Sequence, residues 1–214
     1  MANRSPEDLV RAVRAAGVVD ERVLAVIGGT PRAAFVPPEH VHFAYCDEPV
    51  PIPHGQVTTQ PSLVAGMVAQ LAPGAGERVL EIGTGYGFQT ALLARLAAHV
   101  VSVERWPDLA ETARENLAGQ GVDNVRLVVG DGTLGAPDWA PYDAVLVSAA
   151  FPEVPAPLVD QLRVGGRLVQ PIGPGGHERV TLFARTKTGL RERKVVTLAC
   201  FVRLYGAHAF PDQA

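Results

Sequence analysis

The spacing of apolar positions changes near residue 77, and this change separates two parts of the chain. Before it, apolar residues recur at helical spacing in three segments that begin near Pro6, Asp20 and Pro61. After it, short apolar runs alternate with amphipathic segments, which is the pattern of strands alternating with helices. The elements predicted for this second part are 78–82, 88–98, 99–103, 107–118, 125–129, 142–148, 156–162 and 167–171.

Strands that alternate with helices favour a parallel sheet with helices on both faces. Two later apolar segments, 180–186 and 195–204, are joined by the polar stretch 187–194 and predict an antiparallel pair at the sheet edge. We therefore predict an α/β fold with a doubly wound, mostly parallel seven-stranded sheet and an N-terminal helical extension. A single domain over residues 1–214 is expected from the length of the chain.

The predicted domain has three parts: a helical and substrate-loop extension at 1–75, a core at 76–172, and C-terminal β segments at 173–214. Between residues 30 and 60 the chain is rich in proline, aromatic residues and histidine, and it shows no clear period. Long ordered loops in compact domains are usually functional. We therefore expect this loop to contribute to a substrate site.

Charge and composition exclude several classes of function. The chain has 19 Lys and Arg against 22 Asp and Glu, a net charge of −3, and no basic run that would predict a nucleic-acid partner. Cys46 and Cys200 do not form a metal-ligand motif, so no metal is expected. No apolar segment is long enough to span a membrane, and residues 1–14 lack the pattern of a signal peptide. We expect a cytoplasmic, monomeric protein with no membrane or nucleic-acid partner.

A glycine-rich turn, Gly83-Thr84-Gly85-Tyr86-Gly87, directly follows the first predicted strand of the core. In an open parallel sheet, ligands bind beyond the carboxyl ends of the strands, where the strand order reverses. Glycines let a ligand approach the backbone closely, and the helix that follows offers free N–H groups. The turn therefore predicts a cofactor site that includes Gly83, Thr84, Gly85 and Gly87.

Three acidic residues distinguish between possible cofactors. Glu81 precedes the turn, Glu104 ends the second strand of the core, and Asp131 lies in Gly130-Asp131-Gly132 after the third. A sulfonium, an ammonium, a ribose diol and an adenine amine suit three carboxylates better than a diphosphate does. The spacing is also G-x-G-x-G rather than the G-x-G-x-x-G of dinucleotide sites. We therefore predict S-adenosyl-L-methionine as the cofactor and S-adenosyl-L-homocysteine as its product, with NAD as the alternative.

Each of these acids also has a structural alternative. Glu81 could accept hydrogen bonds from the turn, Glu104 could pair with Arg105, and Asp131 could be a turn residue. The predicted cofactor set is completed by Arg105 and Gly132.

Short motifs between about residues 31 and 204 occur in a characteristic order and spacing. They are Phe35-Val36-Pro37, Ala44-Tyr45 with Asp47, Gly55-Gln56, Thr59-Gln60-Pro61, Val79-Leu80-Glu81-Ile82-Gly83-Thr84-Gly85, Gly130-Asp131-Gly132, Pro141-Tyr142-Asp143, and Gln161-Leu162 with Gly165-Gly166-Arg167. Together they resemble the protein-L-isoaspartate O-methyltransferase family. The resemblance implies a Rossmann-like methyltransferase fold that depends on S-adenosylmethionine. It also implies methyl transfer to the free α-carboxylate of L-isoaspartyl residues in damaged proteins or peptides, which is protein repair.

The resemblance further implies where the acceptor binds, with Thr59 as the catalytic residue. The implied substrate-binding residues are Thr58, Thr59, Gln60, Val202, Arg203 and Leu204. The predicted helix at Pro61 supports an anion site beside Thr59, because the first amides of a helix are free. The alternative is that Thr59 only caps this helix.

Several positions at the predicted site depart from the family pattern, among them Val57, Thr58 and Phe88. Tyr86 replaces the usual serine after the cofactor glycines, and Arg203 replaces the usual proline. Both could reshape the acceptor pocket. An aspartyl O-methyltransferase that acts on a dedicated precursor peptide is therefore an alternative function, and an NAD-binding Rossmann protein is a less favoured one.

Overall fold

The computed structural model describes residues 4–211, and a seven-stranded sheet lies at its centre. The strands are β1 (Val50–Ile52), β2 (Gln56–Thr58), β3 (Arg78–Ile82), β4 (His99–Glu104), β5 (Val125–Val129), β6 (Tyr142–Val147), β7 (Leu162–Ile172), β8 (Glu178–Thr186) and β9 (Gly189–Ala199). The helices are α1 (Pro6–Ala15), α2 (Glu21–Gly29), α3 (Pro61–Leu71), α4 (Phe88–Leu96), α5 (Pro107–Gly119) and α6 (Ala156–Gln161).

The large sheet has the strand order β5-β4-β3-β6-β7-β8-β9. The five neighbouring strands from β5 through β4, β3 and β6 to β7 run parallel to one another, whereas β8 pairs antiparallel with both β7 and β9. The predicted doubly wound, mostly parallel seven-stranded sheet is thereby confirmed. The order reverses at β3, because β4 and β5 lie on one side of it and β6 lies on the other. Ligands of such sheets bind at the carboxyl ends of the strands at this point.

Alternating side chains of the central strands pack into two apolar layers, one on each face of the sheet. Val79 of β3 packs in one layer with residues of α1 to α4, whereas Leu80 packs in the other with Leu158 of α6. Leu9 and Val13 of α1 have no exposed surface. The N-terminal helices therefore belong to the main core.

The N-terminal helices begin where the sequence predicts. The Ser5 side chain caps α1 in a reciprocal capping box with Asp8, and the Asp20 side chain caps α2. Helix α3 begins at Pro61, a favourable first residue because the N–H that proline lacks would have no partner there.

The region between α2 and α3 contains more regular structure than its sequence predicts. It forms two 3-10 turns, Arg32–Phe35 and Pro38–Phe43, and the antiparallel β1–β2 hairpin. The hairpin tip has left-handed backbone at His54 (φ 61°) and Gly55 (φ 65°). Strands of three residues are too short to show a recognisable alternation, which is why the pattern did not reveal them.

The predicted boundaries of the last two strands are wrong. Strand β9 spans Gly189–Ala199, so most of the polar stretch 187–194 is strand, and the connection is a two-residue turn. Charged residues are common on edge strands, where they discourage pairing with other chains. Residues 202–204 lie beyond β9, and Arg203 forms only an isolated parallel bridge with Ala150.

Within residues 4–211, no helix has the length and apolar character needed to cross a membrane. The same residues contain no cluster of three or more His, Cys, Asp or Glu side chains that could hold a metal ion. Cys46 and Cys200 are free cysteines.

Candidate active site

A cavity lies at the carboxyl ends of β3, β4 and β6, at the point where the strand order reverses. Its volume is about 920 Å³, including space open to solvent, which is large enough for a nucleoside and part of an acceptor. Most of the residues predicted from the sequence line it. They are Thr58, Thr59, Gly83, Thr84, Gly85, Glu104, Arg105, Gly132, Val202, Arg203 and Leu204.

The glycine turn has the backbone conformation that its composition predicts. Gly83, Gly85 and Gly87 have φ values of 95°, 55° and 92°, in the region that favours glycine. The Gly83 N–H donates a hydrogen bond to the Val103 carbonyl at 2.9 Å. This bond joins the turn to the end of β4 and holds the backbone against the cavity.

Close packing fixes the surroundings of the turn. A Cβ atom at Gly132 would lie 2.5 Å from Cγ2 of Ile82, so no larger residue fits without moving that side chain. The Thr84 and Ser102 hydroxyl oxygens are 2.6 Å apart and hydrogen-bonded. The turn is therefore held by both its neighbouring strand and the loop after β5.

Glu104 is the predicted carboxylate that faces the cavity. Its Oε2 accepts a hydrogen bond from the Gly85 N–H at 2.9 Å, and its Oε1 accepts one from the Trp106 N–H at 3.1 Å. The side chain is nearly buried but still lines the cavity. Because a carboxylate oxygen can accept a second hydrogen bond, Glu104 retains acceptor positions for a ligand.

An aromatic cluster borders the cavity beside Glu104. The Arg105 guanidinium carbon lies 4.9 Å from the Trp106 ring centroid and 5.3 Å from that of Tyr205. The His54 ring stacks on Trp106 with centroids 3.9 Å apart, and its Nε2 lies 2.8 Å from Oδ2 of Asp108. These contacts, which the sequence did not predict, hold the β1–β2 hairpin against the start of α5.

Glu81 lies behind the turn and does not line the cavity. Its fully buried carboxylate accepts hydrogen bonds from Gln89 Nε2 at 2.8 Å and from the Thr90 and Ser102 hydroxyls at 2.6 Å each. Burial raises the pKa of Glu81 to about 7, although the three donors act in the opposite direction. The carboxylate that the sequence places among the cofactor-binding groups thus fastens β3 to α4 and β4 from outside the cavity lining.

Asp131 also lies outside the cavity lining. Its Oδ1 accepts hydrogen bonds from the Thr133 N–H and hydroxyl, and its Oδ2 accepts one from the Ala207 N–H at 2.8 Å. Burial opposes ionisation, but these donors outweigh it and lower the pKa of Asp131. The contacts correspond to the structural alternative of a turn residue, and they anchor the C-terminal segment.

Gly87 and Gln60 are the other predicted residues outside the lining. Gly87 is the N-cap residue of α4 and packs against α5, where a Cβ would lie 3.4 Å from Cγ of Leu117. Gln60 Nε2 donates to Oδ2 of Asp47 at 3.0 Å, and Oδ1 of Asp47 accepts from the Ser62 N–H at 2.8 Å. Asp47 therefore caps α3, so the alternative that Thr59 only caps this helix is wrong.

Thr58 and Thr59 line the cavity where the chain enters α3. Thr58 is nearly buried, and its hydroxyl oxygen accepts a hydrogen bond from Nη2 of Arg32 at 2.9 Å. Thr59 is half-buried, and its hydroxyl has no hydrogen-bond partner among residues 4–211. The two hydroxyls therefore differ, because one is engaged by a cation and the other is open to a ligand.

Arg32 lies behind the two threonines, outside the cavity lining, and the sequence did not predict its role. It has no exposed surface, and burial lowers the pKa of its guanidinium to about 10, so it stays charged at neutral pH. Its five hydrogen bonds reach the carbonyls of Ala44, Cys46, Glu48 and Thr59 and the hydroxyl of Thr58. Arg32 thereby fixes the loop against the two threonines. A lone arginine in the sequence carries no signal for this role.

The C-terminal segment closes another side of the cavity. The Val202 carbonyl accepts a hydrogen bond from the Ala150 N–H, and the Leu204 N–H donates to the Ala150 carbonyl, each at 2.8 Å. Residues 202–204 thus border the cavity without being part of a strand.

A doubly wound sheet, a glycine turn at its reversal point and a carboxylate at the next strand end define a Rossmann-like fold with a cofactor site at the carboxyl ends of the strands. The model of one protein family, described as Protein-L-isoaspartate(D-aspartate) O-methyltransferase (PCMT), matches residues 4–209. The chain belongs to this family, as the motifs predict. The assignment leaves the NAD-binding alternative without support.

Similar proteins agree with the family assignment. A protein-L-isoaspartate O-methyltransferase of Methanoculleus marisnigri is 51% identical over 208 residues, which cover 95% of this chain and 92% of the relative. A solved protein-L-isoaspartate O-methyltransferase is 29% identical with a TM-score of 0.81, covering 95% of this chain and 67% of its own. A Plasmodium falciparum structure described as the same enzyme in complex with S-adenosyl-L-homocysteine has a TM-score of 0.81 at 22% identity, covering 95% and 99%, and supports the fold alone.

Proposed function

We propose that the protein transfers the methyl group of S-adenosylmethionine to the free α-carboxylate of L-isoaspartyl residues in damaged proteins and peptides. The observation that carries this proposal is the family match over residues 4–209. The cavity supports it, because the same cavity contains the glycine turn and both Thr58 and Thr59. The methyl ester would collapse to a succinimide that can reopen as normal aspartate, so the reaction repairs the chain.

The residues at the turn suit the cofactor. Gly83, Gly85 and Gly132 form a wall without side chains against which a nucleoside can lie. Glu104 retains acceptor positions for ribose hydroxyls, and Thr84 and Arg105 complete the contacts we propose. When bound, S-adenosylmethionine supplies a methyl group on a sulfonium, whose carbon–sulfur bond breaks as a carboxylate oxygen bonds to the carbon, leaving S-adenosyl-L-homocysteine.

Glu81, Gly87 and Asp131 have supporting roles in this proposal. Glu81 fixes the turn to α4 and β4 through its three hydrogen bonds. Gly87 allows α4 to approach α5. Asp131 anchors the C-terminal segment through the Ala207 amide.

The acceptor requires alignment rather than acid–base catalysis, because a carboxylate is already ionised at neutral pH. Thr59 is the catalytic residue that we propose, since its hydroxyl is open to the cavity and can donate to one carboxylate oxygen while the other attacks. The Thr58 oxygen already accepts a hydrogen bond from Arg32, which leaves its proton for the acceptor. The N-terminus of α3 does not add to this site, because the Asp47 carboxylate already accepts the Ser62 N–H there.

The rest of the acceptor is proposed to run along Val202, Arg203 and Leu204, which border the cavity. Gln60 lies outside the cavity lining and is held by Asp47, so we propose that it supports the neighbouring Thr59.

We further propose that residues 1–214 form one methyltransferase domain, which acts as a monomer in the cytoplasm on protein substrates and without nucleic acid. Burial of Leu9 and Val13 supports the folding of 1–75 with the cofactor-binding core at 76–172. The C-terminal β segments at 173–214 contribute β8 and β9 to the same sheet.

The test is transfer of labelled methyl from S-adenosylmethionine to an isoaspartyl peptide, with the aspartyl isomer of the same sequence as the control. We expect label only on the isoaspartyl peptide, as a base-labile ester. Equal or greater labelling of the aspartyl peptide would overturn the repair proposal. That outcome would favour the second candidate, an aspartyl methyltransferase for a dedicated precursor peptide, which the presence of Tyr86 and Arg203 in the cavity lining supports.

A further inference from the structure

The segment after β9 has an unused hydrogen-bonding edge beside the cavity. Because Val202 and Leu204 both bond to Ala150, the N–H and C=O of Arg203 point to the opposite side. Among residues 4–211, neither of these two Arg203 groups has a hydrogen-bond partner. An extended peptide can pair with such an edge through its own backbone.

The Arg203 side chain is held in a defined orientation at this edge. Its Nε donates to the Pro174 carbonyl at 3.1 Å, and its guanidinium carbon lies 5.2 Å from the Phe210 ring centroid. It also lies over Gly175, where a Cβ would come within 2.9 Å of Nε. Within the described part of the chain, the two terminal guanidinium nitrogens have neither a hydrogen bond nor an ion pair.

We propose that Arg203 makes the protein selective for acceptors that carry a carboxylate side chain on a residue flanking the isoaspartyl residue. This inference rests on the proposed function and adds the class of substrate. A peptide that pairs with the Arg203 backbone places one of its side chains beside the guanidinium, since cross-strand neighbours share a face. A planar guanidinium with two open terminal nitrogens matches the two oxygens of a carboxylate.

Overall charge does not provide this selectivity. The chain has a net charge of −3, which disfavours acidic peptides at long range. At the cavity, however, Arg105 and Arg203 are exposed, whereas Glu104 is nearly buried and bonded to two amides. The preference therefore depends on local contacts, so single substitutions can test it.

The experiment uses three isoaspartyl peptides that differ only in one flanking residue, which is Glu, Gln or Lys. For the unmodified protein we expect kcat/KM to be about threefold to tenfold higher with Glu than with Gln, mainly through KM. Arg203→Gln should bring this ratio close to one, and Arg203→Glu should favour the Lys peptide. Arg191→Gln, on the exposed edge of β9 and outside the cavity, is the matched control and should keep the original ratio.

Reading the ratio within each variant removes any general loss of activity from the comparison. Retention of the Glu preference in Arg203→Gln, or no inversion in Arg203→Glu, would overturn the inference. Equal use of all three peptides by the unmodified protein would also overturn it and leave the proposed function intact. Failure to methylate any isoaspartyl peptide would instead overturn the proposed function itself.

Discussion

Replacing Arg32 with methionine would remove a buried cation while keeping an unbranched side chain. The guanidinium has no exposed surface and donates five hydrogen bonds, four to carbonyls and one to the Thr58 hydroxyl. The acceptors belong to the segment 44–48 and to the two threonines of the proposed acceptor site. The substitution therefore tests both the stability of this loop and its role in positioning Thr59.

The expected magnitude follows from the bonds that are most buried. The bonds to the Ala44 carbonyl and the Thr58 hydroxyl are fully buried, and each acceptor left without a donor costs about 1 to 3 kcal/mol. Methionine also removes the cost of burying a charge, which the lowered pKa of Arg32, about 10, reveals. We therefore expect the free energy of unfolding to fall by about 2 to 4 kcal/mol, less than a sum over all five bonds.

Urea unfolding followed by circular dichroism measures this change, and methylation of an isoaspartyl peptide measures the effect on turnover. Arg32→Lys is the matched control, because it keeps the charge but reaches fewer of the acceptors, and it should lose less stability than Arg32→Met. We expect kcat to fall in both variants with a smaller effect on S-adenosylhomocysteine affinity. A loss below about 1 kcal/mol in Arg32→Met, together with unchanged kcat, would refute the reasoning.

Three further predictions concern the proposed site. Glu104→Ala should weaken S-adenosylhomocysteine binding by about 1 to 3 kcal/mol in calorimetry, and unchanged affinity would remove Glu104 from the site. Thr59→Ala should lower kcat on the peptide and leave the cofactor affinity unchanged. A loss of cofactor affinity with unchanged kcat would show that Thr59 does not belong to the acceptor site. The folded-state pKa of Glu81, about 7, lies above its ordinary value of 4.5, so its contribution to stability is complete below pH 4.5 and is lost as the pH rises to about 7. Glu81→Gln should remove this pH dependence from the free energy of unfolding measured with urea. The same pH dependence in the variant and the unmodified protein would contradict the raised pKa of Glu81.

Elements whose side chains alternate or recur strongly could be predicted from the sequence, because burial on a known face imposes the pattern. The bounds predicted for β3 and β5 agree with the structure. Strand β9 could not be predicted in the same way, since its outward side chains are charged and exposed at the sheet edge. The β1–β2 hairpin is too short for any period to appear.

The position of the site could be predicted, but several of its contacts could not. A glycine turn after the first strand of a parallel sheet predicts a ligand site where the strand order reverses, and this prediction does not depend on the other contacts of the site. The role of Arg32 depends on acceptors from distant parts of the loop, which only tertiary folding brings together. The stacking of His54 on Trp106 likewise joins a hairpin tip to a helix start far away in sequence.

The three predicted acids show what decides whether a carboxylate faces the ligand. Glu81 lies within β3, in register with Ser102 of the neighbouring strand, and its side chain points toward α4 rather than beyond the sheet. Glu104 is the last residue of β4, so its carboxylate reaches past the strand end into the cavity. Asp131 lies in the loop after β5, where the Ala207 amide already occupies one of its oxygens. Asp131 therefore accepts three hydrogen bonds and lies outside the cavity lining, whereas Glu104 accepts two, one on each oxygen, and lines the cavity, so its remaining acceptor positions are the ones that ribose hydroxyls can reach.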